Sequence, residues 1–340
     1  TWGFRSTEDS LPTEFLYRKI QQLLPLINYA GFEGSGLKHL RKDYVRDLII
    51  DIPNDKKVSK RIVGIFDTVD ESIEKTEALI EKYKQIKMGL MHDLFTRGIT
   101  ADGKLRSTKE QAPGLYKETS IGWIPKEWDH DFLGNLLAPI PNNLRSGPFG
   151  SALLKSELVE EGIPFLGIDN IHVETFISHY RRFVSEKKFN ELIKYAVRPK
   201  DVVITIMGTV GRSSVIPDDM GRALSSKHLW TLSLNQDAVI PELICWQLNY
   251  ASWVKAWFRR ETQGGIMDAI QSKTLKTLRL PLPTLAEQVR IFERYNAITT
   301  KILTESHKLQ KLHKEKSGLM HDLLTGEVPV QVEEAEVIHV

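Results

Sequence analysis

The chain has 340 residues, of which 41% are hydrophobic and 26% charged, and this length and composition predict two or three globular domains. No apolar run is long enough to span a membrane, and a single cysteine, Cys245, excludes an internal disulfide and is typical of a reducing cytoplasm. The formal net charge of +2 excludes a uniformly basic DNA-coating protein but not a local basic surface.

In the N-terminal region, residues 1–53, the sequence predicts a short helix that begins near Pro12, a glycine-bearing loop and an extended segment that ends at Pro53. The chain begins at Thr1 without a methionine or a signal-peptide pattern, so we expect it to be part of a longer protein. The same order of elements recurs about 229 residues later. The markers of this second copy are Pro241, Gly264 and Pro283.

Two long helices, residues 57–98 and 286–325, are predicted by the strongest internal repeat. Residues 89–96, Gly-Leu-Met-His-Asp-Leu-Phe-Thr, and residues 318–325, Gly-Leu-Met-His-Asp-Leu-Leu-Thr, are identical at seven of eight positions. Upstream of both copies, apolar residues alternate steps of four and three, which is the a/d pattern of a coiled coil. At 1.5 Å per residue, each helix is about 60 Å long.

The predicted helix-pairing seam consists of positions that match between the two copies. Thr76 and Lys87 are polar positions of the first helix, and Glu305 and Lys316 hold the same positions in the second. Polar residues in a seam fix its register rather than add stability. The apolar members are Ile62, Phe66, Val69, Ile73, Ile80, Tyr83, Ile291, Ile298, Ile302, Leu309 and Leu312.

Between the helices, residues 105–283 contain short β-prone runs bounded by Gly, Pro and Asn. These runs are residues 165–168, 202–207, 214–216 and 229–232. They predict a mixed α/β domain, mainly strand, with a loop-rich side. For residues 327–340 we expect a flexible acidic tail, and no function is assigned to it.

The order of motifs resembles that of a known family. Residues 121–128, Ile-Gly-Trp-Ile-Pro-Lys-Glu-Trp, precede the β-rich region, and the proline-bounded helix after it ends in Gly-Leu-Met-x-x-Leu-Leu-Thr-Gly. In this order the chain resembles the specificity subunit of type I restriction–modification enzymes. The resemblance implies an α+β fold, in which β-rich mixed target-recognition domains are separated by two long antiparallel coiled-coil-like helices. It assigns residues 1–53 to the end of a first recognition domain that is N-terminally incomplete, and residues 105–283 to the second.

The resemblance also implies a function. Such a subunit is the non-catalytic part of a DNA methyltransferase and restriction endonuclease, and it reads a bipartite target in double-stranded DNA. It positions methyltransferase (modification) subunits for adenine methylation and a motor-nuclease (restriction) subunit for cleavage. We therefore expect no cofactor on this chain, with S-adenosylmethionine, ATP and Mg²⁺ held by partner subunits. The outer helix faces, together with Trp123 and Trp128, are the expected docking surfaces.

Candidate DNA-contacting residues lie on polar loops and in a basic stretch. Base edges are read by Arg, Lys, Asn and Gln, and phosphates by Arg, Lys, Ser, Thr and backbone amides. The loops are residues 142–151, 208–214, 225–228, 263–265 and 271–273, and residues 181–200 hold seven basic against two acidic side chains. The predicted contacts are Asn143, Arg145, Ser151, Lys155, Arg181, Arg182, Thr209, Arg212, Lys227, His228, Gln263 and Gln271.

Two other functions remain open. One is a coiled-coil scaffold with an accessory β domain. The other is a metal-dependent nuclease, in which Asp169 and Glu186 would hold Mg²⁺ and Lys188 would assist the attacking water. The Asn/Asp-Pro-Pro-aromatic motif of adenine methyltransferases does not occur, and residues 31–38 miss a phosphate-binding loop because Lys does not directly follow the second Gly. No His/Cys cluster suggests a zinc site.

Overall fold

The computed structural model describes residues 11–30, 32–33, 39–40, 49–261 and 270–332. The chain divides into two compact units: unit 1 comprises residues 1–85 and 300–340, and unit 2 comprises residues 86–299. The predicted domain 105–283 lies within unit 2. Gln263, much of the region 1–53 and residues 333–340 of the predicted tail lie outside the described residues.

The described residues form both helices and short strands. The helices are α1 (Thr13–Ala30), α2 (Lys56–Thr96), α3 (Glu186–Glu191), α4 (Pro241–Tyr250), α5 (Ser252–Glu261), α6 (Ser272–Lys276) and α7 (Leu285–Thr325). The strands are β1 (Phe32–Glu33), β2 (His39–Leu40), β3 (Tyr116–Thr119), β4 (Gly122–Pro125), β5 (Asp129–Phe132), β6 (Leu144–Ser146), β7 (Leu158–Val159), β8 (Ile163–Leu166), β9 (Phe183–Val184), β10 (Val202–Thr205), β11 (Ser213–Val215), β12 (Leu224–Ser225), β13 (Leu229–Leu232) and β14 (Arg279–Leu282). None of the helices in the described residues has the length and apolarity needed to cross a membrane.

The two long helices are confirmed, with ends within two residues of the prediction. Asp55 caps α2 by accepting a 2.8 Å hydrogen bond from the backbone N–H of Lys57. Thr284 caps α7 through its hydroxyl, at 3.4 Å. Gly98 ends the first helix, because its φ of +66° is a left-handed conformation and its N–H donates to the carbonyl of Asp93 at 3.1 Å.

In unit 1, α2 and α7 run antiparallel along the predicted seam. Lys316 forms a 2.6 Å ion pair with Asp70, and Lys301 lies 5.9 Å from the centre of the Tyr83 ring. Residue numbers therefore rise along one helix as they fall along the other. The buried seam residues of this unit are Ile62, Phe66, Ile73 and Ile80, and the half-buried ones are Val69, Tyr83, Ile302, Leu309 and Leu312.

Unit 2 holds the other ends of the same helices. Ile291 and Ile298, the predicted seam residues of α7 in this unit, are both buried. The ammonium of Lys87 on α2 lies 4.6 Å from the centre of the Tyr295 ring on α7. The prediction of helix pairing is therefore confirmed in each unit separately.

The recognition region of unit 2 is built on short sheets. One four-stranded sheet has the order β11-β10-β13-β6, with antiparallel neighbours throughout. A second has the order β12-β8-β9-β7, in which β12 and β8 are parallel. The predicted runs correspond to β8, β10, β11 and β13. The run 165–168 ends early, at Leu166, because Gly167 leads into a 3₁₀ turn over Ile168–Asn170.

A buried carboxylate joins the end of α2 to the start of α7. Glu287 is 1% exposed and accepts hydrogen bonds from the backbone N–H of Ile99 at 2.8 Å and from Trp128 Nε1 at 3.0 Å. It also forms an ion pair with buried Arg106, whose Nη2 lies 2.9 Å from Glu287 Oε2. Trp128 is fully buried here, so its prediction as a docking surface is wrong, whereas Trp123 is 41% exposed.

Candidate nucleic-acid interface

The polar loops of unit 2 leave the first sheet at one common end. The register pairs Thr205 with Leu229, Ile204 with Ser213, and Trp230 with Ser146. Because these strands are antiparallel, the loops after β6, between β10 and β11, and before β13 all emerge at that end. Leu166, where β8 ends, pairs with Ser225 and adds a fourth loop. We call these loops, residues 147–155, 167–182, 206–212 and 225–228, the loop face.

Backbone hydrogen bonds tie the loop face together. The N–H of Gly147 donates to Ser226 O at 3.1 Å, and the N–H of Ile206 donates to His228 O at 3.0 Å. A Cβ atom at Gly147 would overlap the backbone of residues 225 and 226, so only glycine allows this approach. The loops are therefore held in a fixed mutual arrangement.

Four of the predicted DNA-contacting residues line one cleft of the loop face, with a volume of about 160 Å³. Lys155, Arg182, Lys227 and His228 come from three different loops and surround a floor that includes Phe165. Arg182 is oriented by an ion pair between its Nη2 and the Asp169 carboxylate. No acidic side chain is among the residues that line this cleft. We refer to it as the basic cleft.

The electrostatic effect of this convergence is visible at His228. Burial of the imidazole lowers its pKa below the ordinary value, and the positive charges of Lys227 and Arg182 lower it further. The field in the basic cleft therefore disfavours an additional cation and favours an anion.

A second cleft, of about 480 Å³, places Arg212 beside α5. Lys255 and Arg259 line it as well, and the sequence analysis did not single out either residue. Their spacing of four residues on one helix was the signal that could have identified them. Thr209, in the same loop as Arg212, is half-buried, and its hydroxyl has no hydrogen-bond partner among the described residues.

The remaining predicted contacts differ in exposure. Ser151, Arg181 and Gln271 are exposed, so they are accessible to a ligand. Asn143 is half-buried, and its amide donates to the carbonyl of Ala138 at 2.8 Å.

Arg145 is the one predicted contact that the structure places in the interior. It is 5% exposed and forms an ion pair with Asp201, which is 1% exposed. Its Nε donates to Ala196 O at 2.6 Å and its Nη1 to the Ser233 hydroxyl at 3.0 Å. Its prediction as a DNA contact is therefore wrong, because all its nitrogens are engaged inside the domain.

A loop residue also reaches the long helix α2 within unit 2. Glu174, which adopts a left-handed φ of +60°, forms a 2.7 Å ion pair with Lys87. Burial raises the pKa of the Glu174 carboxyl, although the nearby ammonium of Lys87 opposes the change. Lys87, a polar seam position of α2, is thus joined by this ion pair to the segment 167–182 of the loop face.

The residues of the nuclease alternative lie in separate ion pairs. Asp169 pairs with Arg182, and the Glu186 carboxylate accepts from Arg222 at 2.9 Å. Lys188 pairs with Glu157 at 2.7 Å. Among the described residues, the one group of three potential metal ligands is the partly exposed set His321, Asp322 and Glu327 in unit 1. The predicted Asp169–Glu186–Lys188 site therefore does not form.

The structure thus places a mixed domain with basic loops at one sheet end between the two long helices in the sequence. Residues 149–314 match the family described as "Type I restriction modification DNA specificity domain". The match covers just under half of the chain, and over that region the chain is similar to the specificity subunits of type I restriction–modification enzymes.

Individual relatives agree with this assignment. The chain is 23% identical to the type I restriction enzyme MjaVIII specificity subunit of Methanocaldococcus jannaschii, over 88% of this chain and 66% of that protein. It is 26% identical to the putative MjaX specificity subunit of the same organism, over 90% and 63%. The chain thus spans just under two thirds of the length of these curated relatives.

A solved structure shows the same fold. The type I restriction–modification S subunit from M. genitalium aligns with a TM-score of 0.54 and 16% identity, over 95% of this chain and 74% of that one.

Proposed function

We propose that this chain is the sequence-reading, non-catalytic subunit of a type I restriction–modification complex. Residues 105–283 read one half of a bipartite target in double-stranded DNA through the loop face. The observation that carries the proposal is the convergence of Lys155, Arg182 and Lys227 from separate loops at one sheet end. Phosphate contacts of this kind position a duplex, and neighbouring polar loops read its base edges.

The partners follow from the family. Methyltransferase subunits would bring S-adenosylmethionine for adenine methylation, and a motor-nuclease subunit would bring ATP and Mg²⁺; this chain binds none of them itself. Trp123 is the candidate contact for a methyltransferase subunit. It is 41% exposed, and the ammonium of Lys109 lies 3.9 Å from its ring centre. Partly exposed aromatic side chains of this kind are enriched in protein interfaces.

The test is selection of bound sequences from a random duplex pool, by the chain alone and together with methyltransferase subunits, followed by mapping of methylated adenines. We expect a preferred half-site and a split methylation motif. Lys227→Ala should weaken binding, whereas Lys104→Ala, at an 81% exposed side chain outside the loop face, should not. If neither sample shows a sequence preference, the proposal fails and the scaffold alternative stands.

A further inference from the structure

The basic cleft contains an unpaired buried hydroxyl in addition to its cations. Ser226 lines the cleft and is 3% exposed, and its Oγ has no hydrogen-bond partner among the described residues. A buried hydroxyl without a partner is unfavourable, and a ligand oxygen at this position would satisfy it. One cleft is therefore lined by a serine hydroxyl, two ammonium groups, a guanidinium and an imidazole.

The geometry of Arg182 indicates which part of DNA the cleft holds. Reading guanine takes an open fork of two guanidinium nitrogens that face O6 and N7 together. In Arg182, Nη2 donates to Asp169, and Nε is buried without a partner among the described residues. The guanidinium is therefore not presented as an open fork, although it still contributes its charge and its remaining nitrogen. A tetrahedral anion needs no more than that.

We propose that the basic cleft binds one phosphate group of the DNA backbone, through Ser226, Lys227, Arg182, Lys155 and His228. This inference rests on the proposed function and divides the loop face by role. The basic cleft sets the position and affinity of the duplex. Sequence is read elsewhere on the loop face, where Arg212 and Thr209 lie.

His228 is a direct reporter of occupancy. The charged groups that face it are Lys227 and Arg182, both positive, and they hold its pKa below the ordinary value together with burial. A phosphate bound between these groups adds negative charge beside the imidazole and favours its protonated form. Binding in the cleft therefore raises the pKa of His228, whereas binding to a different surface leaves it unchanged.

The experiment combines an NMR titration of His228 with the salt dependence of DNA binding. We expect the selected duplex to raise the pKa of His228. We expect Lys227→Ala to reduce the slope of log K against log salt concentration by about 0.9, the value for one phosphate contact. Ser226→Ala should lower affinity for all sequences equally. In both variants, the affinity ratio between the selected and a scrambled duplex should stay as in the wild type, and Lys104→Ala should change nothing.

Three other outcomes would contradict either the phosphate site or the proposed function. A relaxed affinity ratio in Lys227→Ala, with an unchanged salt slope, would mean that the cleft reads bases. A pKa of His228 that responds to inorganic phosphate alone and not to the duplex would assign the site to a free phosphate. If the wild-type chain binds DNA with no sequence preference but His228 still responds to the duplex, the proposed function fails while the phosphate site stands.

Discussion

Replacing Glu287 with alanine should be the most destabilising single change in unit 2. The substitution removes the buried partner of Arg106, whose side chain is 5% exposed, and leaves the 71% exposed carboxylate of Glu127 as its remaining ion-pair partner. Breaking a buried ion pair in this way costs about 3–5 kcal/mol. It also removes the acceptor for the Ile99 N–H and for Trp128 Nε1, which were bonded at 2.8 and 3.0 Å. We expect the lower end of the range only if water reaches these donors.

Urea unfolding followed by tryptophan fluorescence measures this loss. The tryptophans among the described residues lie in unit 2, and Trp128 contacts Glu287 directly, so the signal reports the affected unit. Lys104→Ala is the control in the same unit, because Lys104 and Asp102 form a solvent-exposed pair and such pairs contribute little to stability. If Glu287→Ala lowers the free energy of unfolding by less than about 1 kcal/mol, with an unchanged dependence of that free energy on urea concentration, then the contacts of Glu287 do not stabilise unit 2 as argued.

Three further predictions concern packing and protonation. Gly147→Ala should lower the free energy of unfolding by about 1–3 kcal/mol, because the methyl group overlaps the backbone of residues 225 and 226. The control is Gly114→Ala, whose methyl group meets no atom within 4 Å, and equal melting temperatures for the two variants would contradict the prediction. Ile80→Ala should lower the free energy of unfolding by about 2–5 kcal/mol, measured by unfolding followed by circular dichroism, because Ile80 is buried in the seam. A loss no larger than that of Ile86→Ala, at an exposed position of the same helix, would show that Ile80 does not pack in a helix-pairing seam. Because the folded-state pKa of Glu174 is raised, the folded chain binds a proton that the unfolded chain has released, so stability falls as pH rises from 4.5 towards that pKa. Glu174→Gln should remove this fall in urea unfolding between about pH 4 and about pH 7, and parallel curves would argue against it.

The long helices were predictable because their signal is local and repeated. The a/d spacing lies within the helices, and Pro53 and Pro283 lie a few positions before them. Of the described strands, β8, β10, β11 and β13 were predictable from local apolar runs, although Gly167 ended β8 earlier than its run suggested. Lys155, Arg182, Lys227 and His228 were predicted as separate DNA contacts, and their meeting in one cleft depends on strand register, which composition does not encode.

The incorrect predictions concern residues whose partners are distant in sequence. Arg145 looks like a DNA contact because it follows two asparagines on a polar loop. Its role is decided by Asp201, which lies 56 positions away. Trp128 likewise belongs to the family motif at residues 121–128 and was expected at the surface. Glu287, 159 positions away, accepts its Nε1–H and holds it in the core. In both cases the burial of the side chain depends on packing against residues that are distant in sequence. The local sequence pattern therefore could not distinguish a polar group buried in the interior from one that binds a ligand at the surface.

The hydrogen bond from Ile99 N–H to Glu287 has a consequence for how the segment between the two long helices can be exchanged. It joins positions 188 residues apart, so the intervening chain enters and leaves through a single point. A segment whose two ends meet can be exchanged as a cassette without altering the length or register of the helices on either side. On the proposed function, a different recognition domain that keeps the contacts of Ile99, Arg106 and Trp128 with Glu287 would fit between the same two helices and give the chain a new target sequence.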